Sequence, residues 1–340
     1  MMRLLITGGA GFIGTNTAIY FAKNKKNQIT IIDDFSRPGV ESNAEYLKKR
    51  SENIQIIQCG VGEIGVYISL LKNADAVIHL AGQTAVTTSI QDPHHDFATN
   101  IHASFVLLDT IRRINPKTVF IYSSTNKVYG DLPLHTIRKN RVRDRYEDVC
   151  HPKGLDENEP VQFISPYGCS KGAFDMYALD FARMYYMNTV VFRQSCIYGP
   201  FQMGVEDQGW VAHFSKQILK KNPITVFGDG FQVRDLLYVG DLIAAYDLAI
   251  KNIKKVRGSV FNIGGGIRNA YSVVQVIHIL QKHIGRKTPV SYSRERLGDQ
   301  KYFVSANSKI ARDLRWKPST DFEKGIHLMI DWQKKNLDRF

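Results

Sequence analysis

The string Thr7-Gly8-Gly9-Ala10-Gly11-Phe12-Ile13-Gly14 follows directly on the apolar run Arg3–Thr7, and it constrains the fold of this 340-residue chain more than any other segment. Glycines at 8, 11 and 14 permit a tight turn from strand to helix and let backbone N–H groups approach a phosphate at the helix N-terminus. In a strand-turn-helix context this spacing marks a dinucleotide site. The next apolar run, Gln28–Asp33, ends in a carboxylate 19 residues after Gly14. A carboxylate there accepts hydrogen bonds from an adenosine ribose and repels a 2′-phosphate. NAD is therefore expected rather than NADP. Arg37 falls near that ribose, where a guanidinium either accommodates a phosphate or stacks on adenine.

Strand-like apolar runs then alternate with helix-length amphipathic segments, the pattern of a parallel sheet covered on both faces. The expected strands are Arg3–Thr7, Gln28–Asp33, Ile54–Gln58, Ala76–Leu80, Thr118–Ser123 and Thr189–Arg193. Helices are expected to begin near Gly11, Ser42, Glu63, Pro93 and Pro166. After Arg193 the pattern loosens, with a strand-to-helix return at Asp235–Ile250 and a further helix at Ser272–His283. The fold class that follows is α/β, a Rossmann-type doubly wound parallel sheet with a smaller mixed α/β lobe. Residues 1–192 and about 235–262 are assigned to the NAD-binding domain, and about 193–234 and 263–340 to the second lobe.

Composition narrows the class further. No run of about 18 apolar residues is present, so no membrane span is expected. The first apolar strand begins at Arg3, which leaves no room for a leader, and a cytoplasmic location is expected. Cys59, Cys150, Cys169 and Cys196 are far apart, without a Cys-x-x-Cys pair or a nearby histidine cluster, so neither a metal site nor a disulfide framework is indicated. The net charge of +13 raises the question of nucleic acid, but the basic residues are mostly scattered and no nucleic-acid partner is expected. Their densest cluster, Arg138–Arg145, is polar and aperiodic and reads as a loop. It is either a solvated surface or a source of long-range attraction for an anionic small molecule or a second subunit.

Tyr167-Gly-Cys-Ser-Lys171 supplies candidate chemistry. A tyrosine and a lysine four apart on a helix share a face, so the ammonium can stabilise a phenolate beside it. Lowering a phenol from a pKa of about 10 by about three units corresponds to about 4 kcal/mol. Such a pair acting beside NAD points to proton and hydride transfer at a carbinol.

Together these motifs resemble the extended short-chain dehydrogenase/reductase family, the nucleotide-sugar epimerases and dehydratases. The further marks are His79-Leu80-Ala81-Gly82, Asn100, Tyr122–Gly130, Ser165–Lys171, Phe192-Arg193, Tyr198-Gly199-Pro200 and Val233-Arg234-Asp235, so the resemblance spans nearly the whole chain. It implies Tyr167 as catalytic base, Lys171 also holding the nicotinamide ribose, and Thr125 orienting the reacting hydroxyl. It also implies cofactor contacts at Phe12, Ile13, Asp34, Ser36, Leu80, Ala81, Gln83, Asn100 and Ser123.

The 4,6-dehydratases of that family carry an Asp-Glu pair after the threonine, whereas this chain has Asn126-Lys127. An amide and an ammonium cannot replace two carboxylates in an elimination, which leaves epimerisation or simple reduction. Ala81–Ser89, Ser123–Asp131, Ser165–Gly172, Asp207–Trp210 and the long insert Asp131–Ile164 most resemble the branch that inverts CDP-hexoses at C2. Departures are Val61, where an acid is usual, Ile164, where histidine is frequent, and Cys196. The implied reaction passes through a 2-keto sugar. The alternatives are C2 inversion of another nucleotide hexose and C4 inversion of a UDP-sugar. A non-catalytic NAD-binding scaffold would usually lack the Tyr167, Lys171 and Thr125 set.

For a nucleotide-diphosphate sugar, Arg234 is the expected diphosphate contact, since a guanidinium matches two phosphate oxygens. Its other reading is an ion pair with Asp235 or Asp241. Arg296 is a second candidate with Asp299 reaching a ribose or sugar hydroxyl, unless that segment is a polar surface turn. Asn126, Gln208, Trp210 and Gln232 complete the expected substrate site. Relatives pair through helices here near Asn100–Ile114 and Pro166–Met184, so a homodimer or homotetramer is expected.

Overall fold

The apolar runs assemble into one seven-stranded, all-parallel sheet. From one edge to the other the strands are Ser259–Ile263, Asn188–Gln194, Val119–Thr125, Ala76–His79, Arg3–Thr7, Gln28–Asp33 and Ile54–Gln58. A computed structural model describes residues 1–132 and 135–339; Pro133, Leu134 and Phe340, which fall within the expected insert and second lobe, lie outside the described residues. The six strands expected from the sequence are present, with ends shifted by one or two residues.

Side chains alternate across the sheet, as strand geometry requires. Leu4, Ile6, Ile29, Ile31 and Phe192 bury one face beneath the helices Phe12–Ala22 and Val239–Lys251. Leu5, Ile32, Val77, Phe120 and Val191 bury the other beneath Ile64–Leu71, Ala103–Ile114 and Pro166–Met184. Both faces are apolar, which is why the runs read as continuous rather than alternating. The connections reverse beside Arg3–Thr7, which lies between Gln28–Asp33 and Ala76–His79, and the crevice at such a reversal is where an open α/β sheet binds its ligand.

A second lobe is built from later segments. Val233–Tyr238 pairs with Cys196–Tyr198, Ala270–Ser272 and Tyr302–Phe303, and Ile224–Phe227 pairs with Val290–Ser293. Trp210–Lys220, Val273–Ile284 and Phe322–Lys335 pack over these strands around Phe214, Ile277, Phe322 and Met329. The segment 235–262 therefore divides. Its first residues belong to the small sheet, whereas the Val239–Lys251 helix and the strand from Ser259 complete the large one.

The basic stretch expected as a loop is instead an antiparallel hairpin, Ile137–Asn140 against Arg145–Asp148. Tertiary partners impose it. Tyr146 donates its backbone N–H to Phe231 O, Arg145 donates to Ala270 O, and Lys139 pairs with Asp229. Local composition could not register bonds to residues so distant in the chain.

One polar network lies beneath the sheet's C-terminal edge. Arg193 Nε donates to Asp175 Oδ2 at 2.8 Å, and Arg193 Nη1 donates to the Tyr129 hydroxyl at 2.9 Å. Ser124 Oγ donates to the same Asp175 oxygen, and Tyr129 donates onward to Asn262 Oδ1. Asp175 is fully buried and Arg193 nearly so. Removing one member of a buried ion pair strands the other charge, at a cost of about 3–5 kcal/mol. Asp175→Ala should lower unfolding stability by that amount in denaturant titrations, and a loss under about 1 kcal/mol would contradict the assignment.

Candidate active site

A cleft of about 920 Å³ lies between the large sheet and the second lobe. Its first wall is the Gly8–Gly14 turn. Gly8 has φ of +65°, and a Cβ there would come within 2.7 Å of Ala81 N. A Cβ on Gly14 would stand 2.5 Å from Gly8 O, so only glycine lets the helix start against the turn. No side chain caps the Phe12–Ala22 helix, and its first backbone N–H groups are left for a ligand. Asp33 accepts from Ala10 N at 2.9 Å and from Phe35 N at 3.0 Å, which fixes its carboxylate at the cleft edge. Burial raises its pKa, and these backbone bonds oppose the rise. The steric cradle, the uncapped helix and the carboxylate together fit a pyrophosphate and an adenosine ribose.

The opposite wall holds the candidate chemistry. Ser165 caps the Pro166–Met184 helix by accepting from Gly168 N, and Pro166 occupies the first helical turn, both favourable there. Ser89 Oγ accepts from Tyr167 N at 3.1 Å. Tyr167 thereby meets the end of the strand Val119–Thr125, and its phenol has Thr125 as a hydrogen-bond partner. Burial pushes Tyr167 up to about 12, against the downward pull of that bond.

Lys171 is buried on the same helix. Its Nζ lies over the Tyr122 ring, 4.4 Å from the centroid, and its charged neighbours are Asp96 and Asp175. Burial lowers Lys171 to about 7 despite those carboxylates. The charges that reach Tyr167 come from Asp96 and Arg37. An i,i+4 spacing brings two side chains to one helix face, but a buried lysine turns towards whatever replaces its lost hydration.

Every residue expected to bind cofactor or substrate lines this cleft except Asn100. Asn100 is buried behind the wall, where its Nδ2 donates to Gln83 O, Asp96 Oδ1 and Ser170 Oγ. Arg37 keeps Asp33 as a charged neighbour while reaching across the cleft. It donates to Thr84 Oγ1 at 3.2 Å and to Gln208 Oε1. Trp210 packs edge-on to Phe214. Gln232 Nε2 donates to Phe227 O, leaving its Oε1 buried without a partner. Arg296 stacks on Phe227 at 3.7 Å and pairs with Asp207 at 2.8 Å.

Arg234 pairs with neither Asp235 nor Asp241. Its Nη2 donates to Asp299 Oδ1 at 2.7 Å and to Gln300 O at 2.6 Å. Asp299 is thus engaged as a counter-charge. Burial opposes its ionisation, but Arg234 and Lys127 outweigh burial and hold it below the usual carboxylate range.

Lys127 and Gln300 are contributions the sequence did not reveal. Lys127 Nζ donates to Gly298 O at 2.9 Å and lies 3.5 Å from Asp299. Asn126 Nδ2 donates to Gln300 Oε1 at 3.1 Å, and Gln300 Nε2 donates to Gly130 O. Burial lowers Lys127 to about 8, opposed by Asp299. The two positions after Thr125 therefore tie the active strand to the Gly298–Gln300 loop, and neither is a carboxylate. The only earlier signal was that departure from an acid pair.

Residues 4–264 match the model of the NAD dependent epimerase/dehydratase family. The chain belongs to that family. A CDP-paratose 2-epimerase from Salmonella typhi is 40% identical over 97% of this chain and 99% of that protein. A dTDP-glucose 4,6-dehydratase from Escherichia coli is 29% identical over 99% of this chain and 94% of that protein. Among solved structures, the UDP-glucose 4-epimerase of Thermotoga maritima superposes with a TM-score of 0.84 at 30% identity, covering 99% of this chain and all of that one. The UDP-glucuronic acid 4-epimerase of Bacillus cereus, solved with its nucleotide sugar and NAD, has a TM-score of 0.84 at 28% identity, covering 98% and 99%. As a member of this family the chain is an NAD-dependent nucleotide-sugar epimerase. Among the described residues no helix is long and apolar enough to cross a membrane.

Lys171 gives the cofactor-free protein a pH signature. Its folded pKa of about 7 lies below the unfolded value of 10.5, so between those values the unfolded chain binds a proton that the folded one does not. Stability therefore rises with pH across that window. The stability difference between wild type and Lys171→Met should shift in favour of wild type from pH 7 to pH 10. A difference independent of pH in denaturant titrations would show that Lys171 keeps an ordinary pKa.

Proposed function

We propose that this enzyme inverts C2 of a CDP-hexose, converting CDP-paratose to CDP-tyvelose in the cytoplasm as a step towards lipopolysaccharide O-antigen. The observation that carries this reading is the pairing of a Tyr167, Thr125 and Lys171 site with Asn126 and Lys127. Proton and hydride transfer are provided for, while the acid and base for expelling water are replaced by ties to Gly298 and Gln300. The 40% identity with the CDP-paratose 2-epimerase supports the choice of C2 and of cytidine.

In this mechanism Thr125 and Tyr167 hold the C2 hydroxyl between them, and Tyr167 takes its proton. NAD, which the Gly8–Gly14 turn and Asp33 would hold, would supply the reversible hydride acceptor that complements this proton transfer. Lys171, lowered to about 7 by burial, gains a reason to hold its proton when it meets the cofactor ribose and the developing phenolate. Arg296, stacked on Phe227, faces the diphosphate, and Arg234 keeps Asp299 and the Gly298–Gln300 loop in place beneath the sugar. Gln208 and Trp210 bound the space in which the 2-keto sugar turns over. Positioning then carries much of the rate, as it does wherever the reacting groups are held in contact.

A homodimer or homotetramer formed through the Pro166–Met184 helix is part of the same reading. Met176, Tyr177, Met184 and Tyr185 are exposed there, as a helix covered by a partner requires.

Incubation with CDP-, GDP- and UDP-hexoses in deuterated water, read by NMR, tests the proposal. CDP-paratose should be inverted at C2 with no deuterium at that carbon. Inversion of a UDP-sugar at C4 instead would select the reading favoured by the UDP-sugar epimerases of the same fold. Tyr167→Phe should retain NAD and lose turnover by about 10²–10⁴-fold. Unchanged turnover would remove Tyr167 as the base.

A further inference from the structure

The insert between the active strand and the catalytic helix carries a cluster that the proposed reaction does not use. His135 stands just before the hairpin, Asp148 ends it, and His151 and Glu159 follow on the return to Ser165. None of the four lines the cleft.

The His135 side chain is completely buried, and its Nδ1 lies 2.5 Å from Asp148 Oδ2. Asp148 is buried as well, and its Oδ1 accepts from Cys150 N at 3.0 Å and His151 N at 3.2 Å. A carboxylate held in this way accepts a hydrogen bond from His135 Nδ1–H and fixes the ring orientation, the arrangement that supports metal-bound imidazoles. His135 Nε2 lies 3.0 Å from Glu159 Oε1. Burial disfavours charge on His135, but Asp148 and Glu159 outweigh it and raise its pKa, so the space between Nε2 and Glu159 favours a cation, a proton or a metal ion. The His151 ring stacks 4.0 Å from that of His135. One ligand atom from each of His135, His151 and Glu159 then lies within 4.8 Å of the other two.

We propose that His135, His151 and Glu159 bind a divalent cation of the zinc class, with Asp148 orienting His135 from behind. Two imidazoles and a carboxylate suit a borderline metal rather than calcium or magnesium, which take oxygen ligands. Bonds of about 2.0–2.2 Å in a tetrahedral site place ligand atoms about 3.3–3.5 Å apart. Closing to that spacing requires movement of about 1 Å. His151, whose Nδ1 lies 3.2 Å from Asp148 Oδ2, and Glu159 have side chains 41% and 15% exposed, and rotation of these partly exposed groups can supply it. Water fills the remaining position.

The metal's work is to close a loop. It joins positions 135, 151 and 159 around the hairpin, and that segment is pinned to the turn Asn126–Tyr129 after the active strand, where Gln162 N donates to Val128 O at 2.8 Å. The neighbouring Phe163 packs on the catalytic helix at Gly172, where a Cβ would meet its ring. The cation is therefore a staple for the insert, outside the chemistry of the cleft. Cysteine spacing gave no sign of it, because no cysteine belongs to the cluster.

The test uses the full chain, stripped with a chelator and titrated with Zn²⁺ and Co²⁺. One ion per chain is expected, with the visible Co²⁺ absorption of a four- or five-coordinate site and a higher thermal midpoint. His151→Ala and Glu159→Gln, both partly exposed, should fold and lose the stoichiometric ion, with zinc affinity falling at least tenfold. His135→Ala should also lose it, but it removes a buried side chain and is not needed for the conclusion. Failure to bind Zn²⁺ in excess would leave a proton on His135 as the bridge to Glu159 and overturn the proposal. Stoichiometric binding that survives in the His151→Ala/Glu159→Gln double variant would overturn it as well.

Discussion

The ion pair between Asp175 and Arg193 is the fixed point of the molecule. It joins the catalytic helix to the strand Asn188–Gln194, and through Ser124 it also reaches the residue before Thr125. A bidirectional tie of this kind sets the distance between Thr125 and Tyr167 from below, in a region where water cannot relax it. The Tyr129 and Asn262 bonds extend it to the last strand of the sheet. The arrangement therefore depends on three segments meeting at one buried carboxylate. Since a buried ion pair is seldom a net source of stability, its contribution lies in the uniqueness of the geometry it imposes.

Above that base the cleft is governed by desolvation. Burial pushes Tyr167 up and Lys171 and Lys127 down, so the protein alone disfavours charge on each of the three. Asp299 is the exception, kept ionised by two cations. A site balanced in this way becomes charged only when ligands supply the missing partners, and reactivity waits for occupancy.

Much of this was legible from one chain. Gly8, Gly14 and Asp33 announced their roles because each is a local constraint, a turn or a strand end, that spacing alone expresses. The sheet strands were equally plain, since burial on both faces leaves an apolar run with little ambiguity. What escaped were bonds between distant segments. Arg138–Arg145 looked like a loop because the hairpin it enters is held in place by bonds from Tyr146 to Phe231 and from the Arg145 side chain to Ala270, far along the chain. Asp299 looked available for a sugar hydroxyl because nothing in its neighbourhood predicts Arg234 and Lys127 beside it. Lys171 shared the face of Tyr167 as expected, yet a helical period says nothing of the rotamer chosen by a lysine beneath the Tyr122 ring.

Arg37 gives the cleft a further property. It leaves the dinucleotide side, takes Thr84 on the way and reaches Gln208 in the second lobe, while Arg296 fastens the same 206–207 segment from the opposite side. The groove for the cofactor is thus roofed by part of the groove for the sugar. Widening the cleft at that point must break the Arg37 bonds, so they oppose its opening.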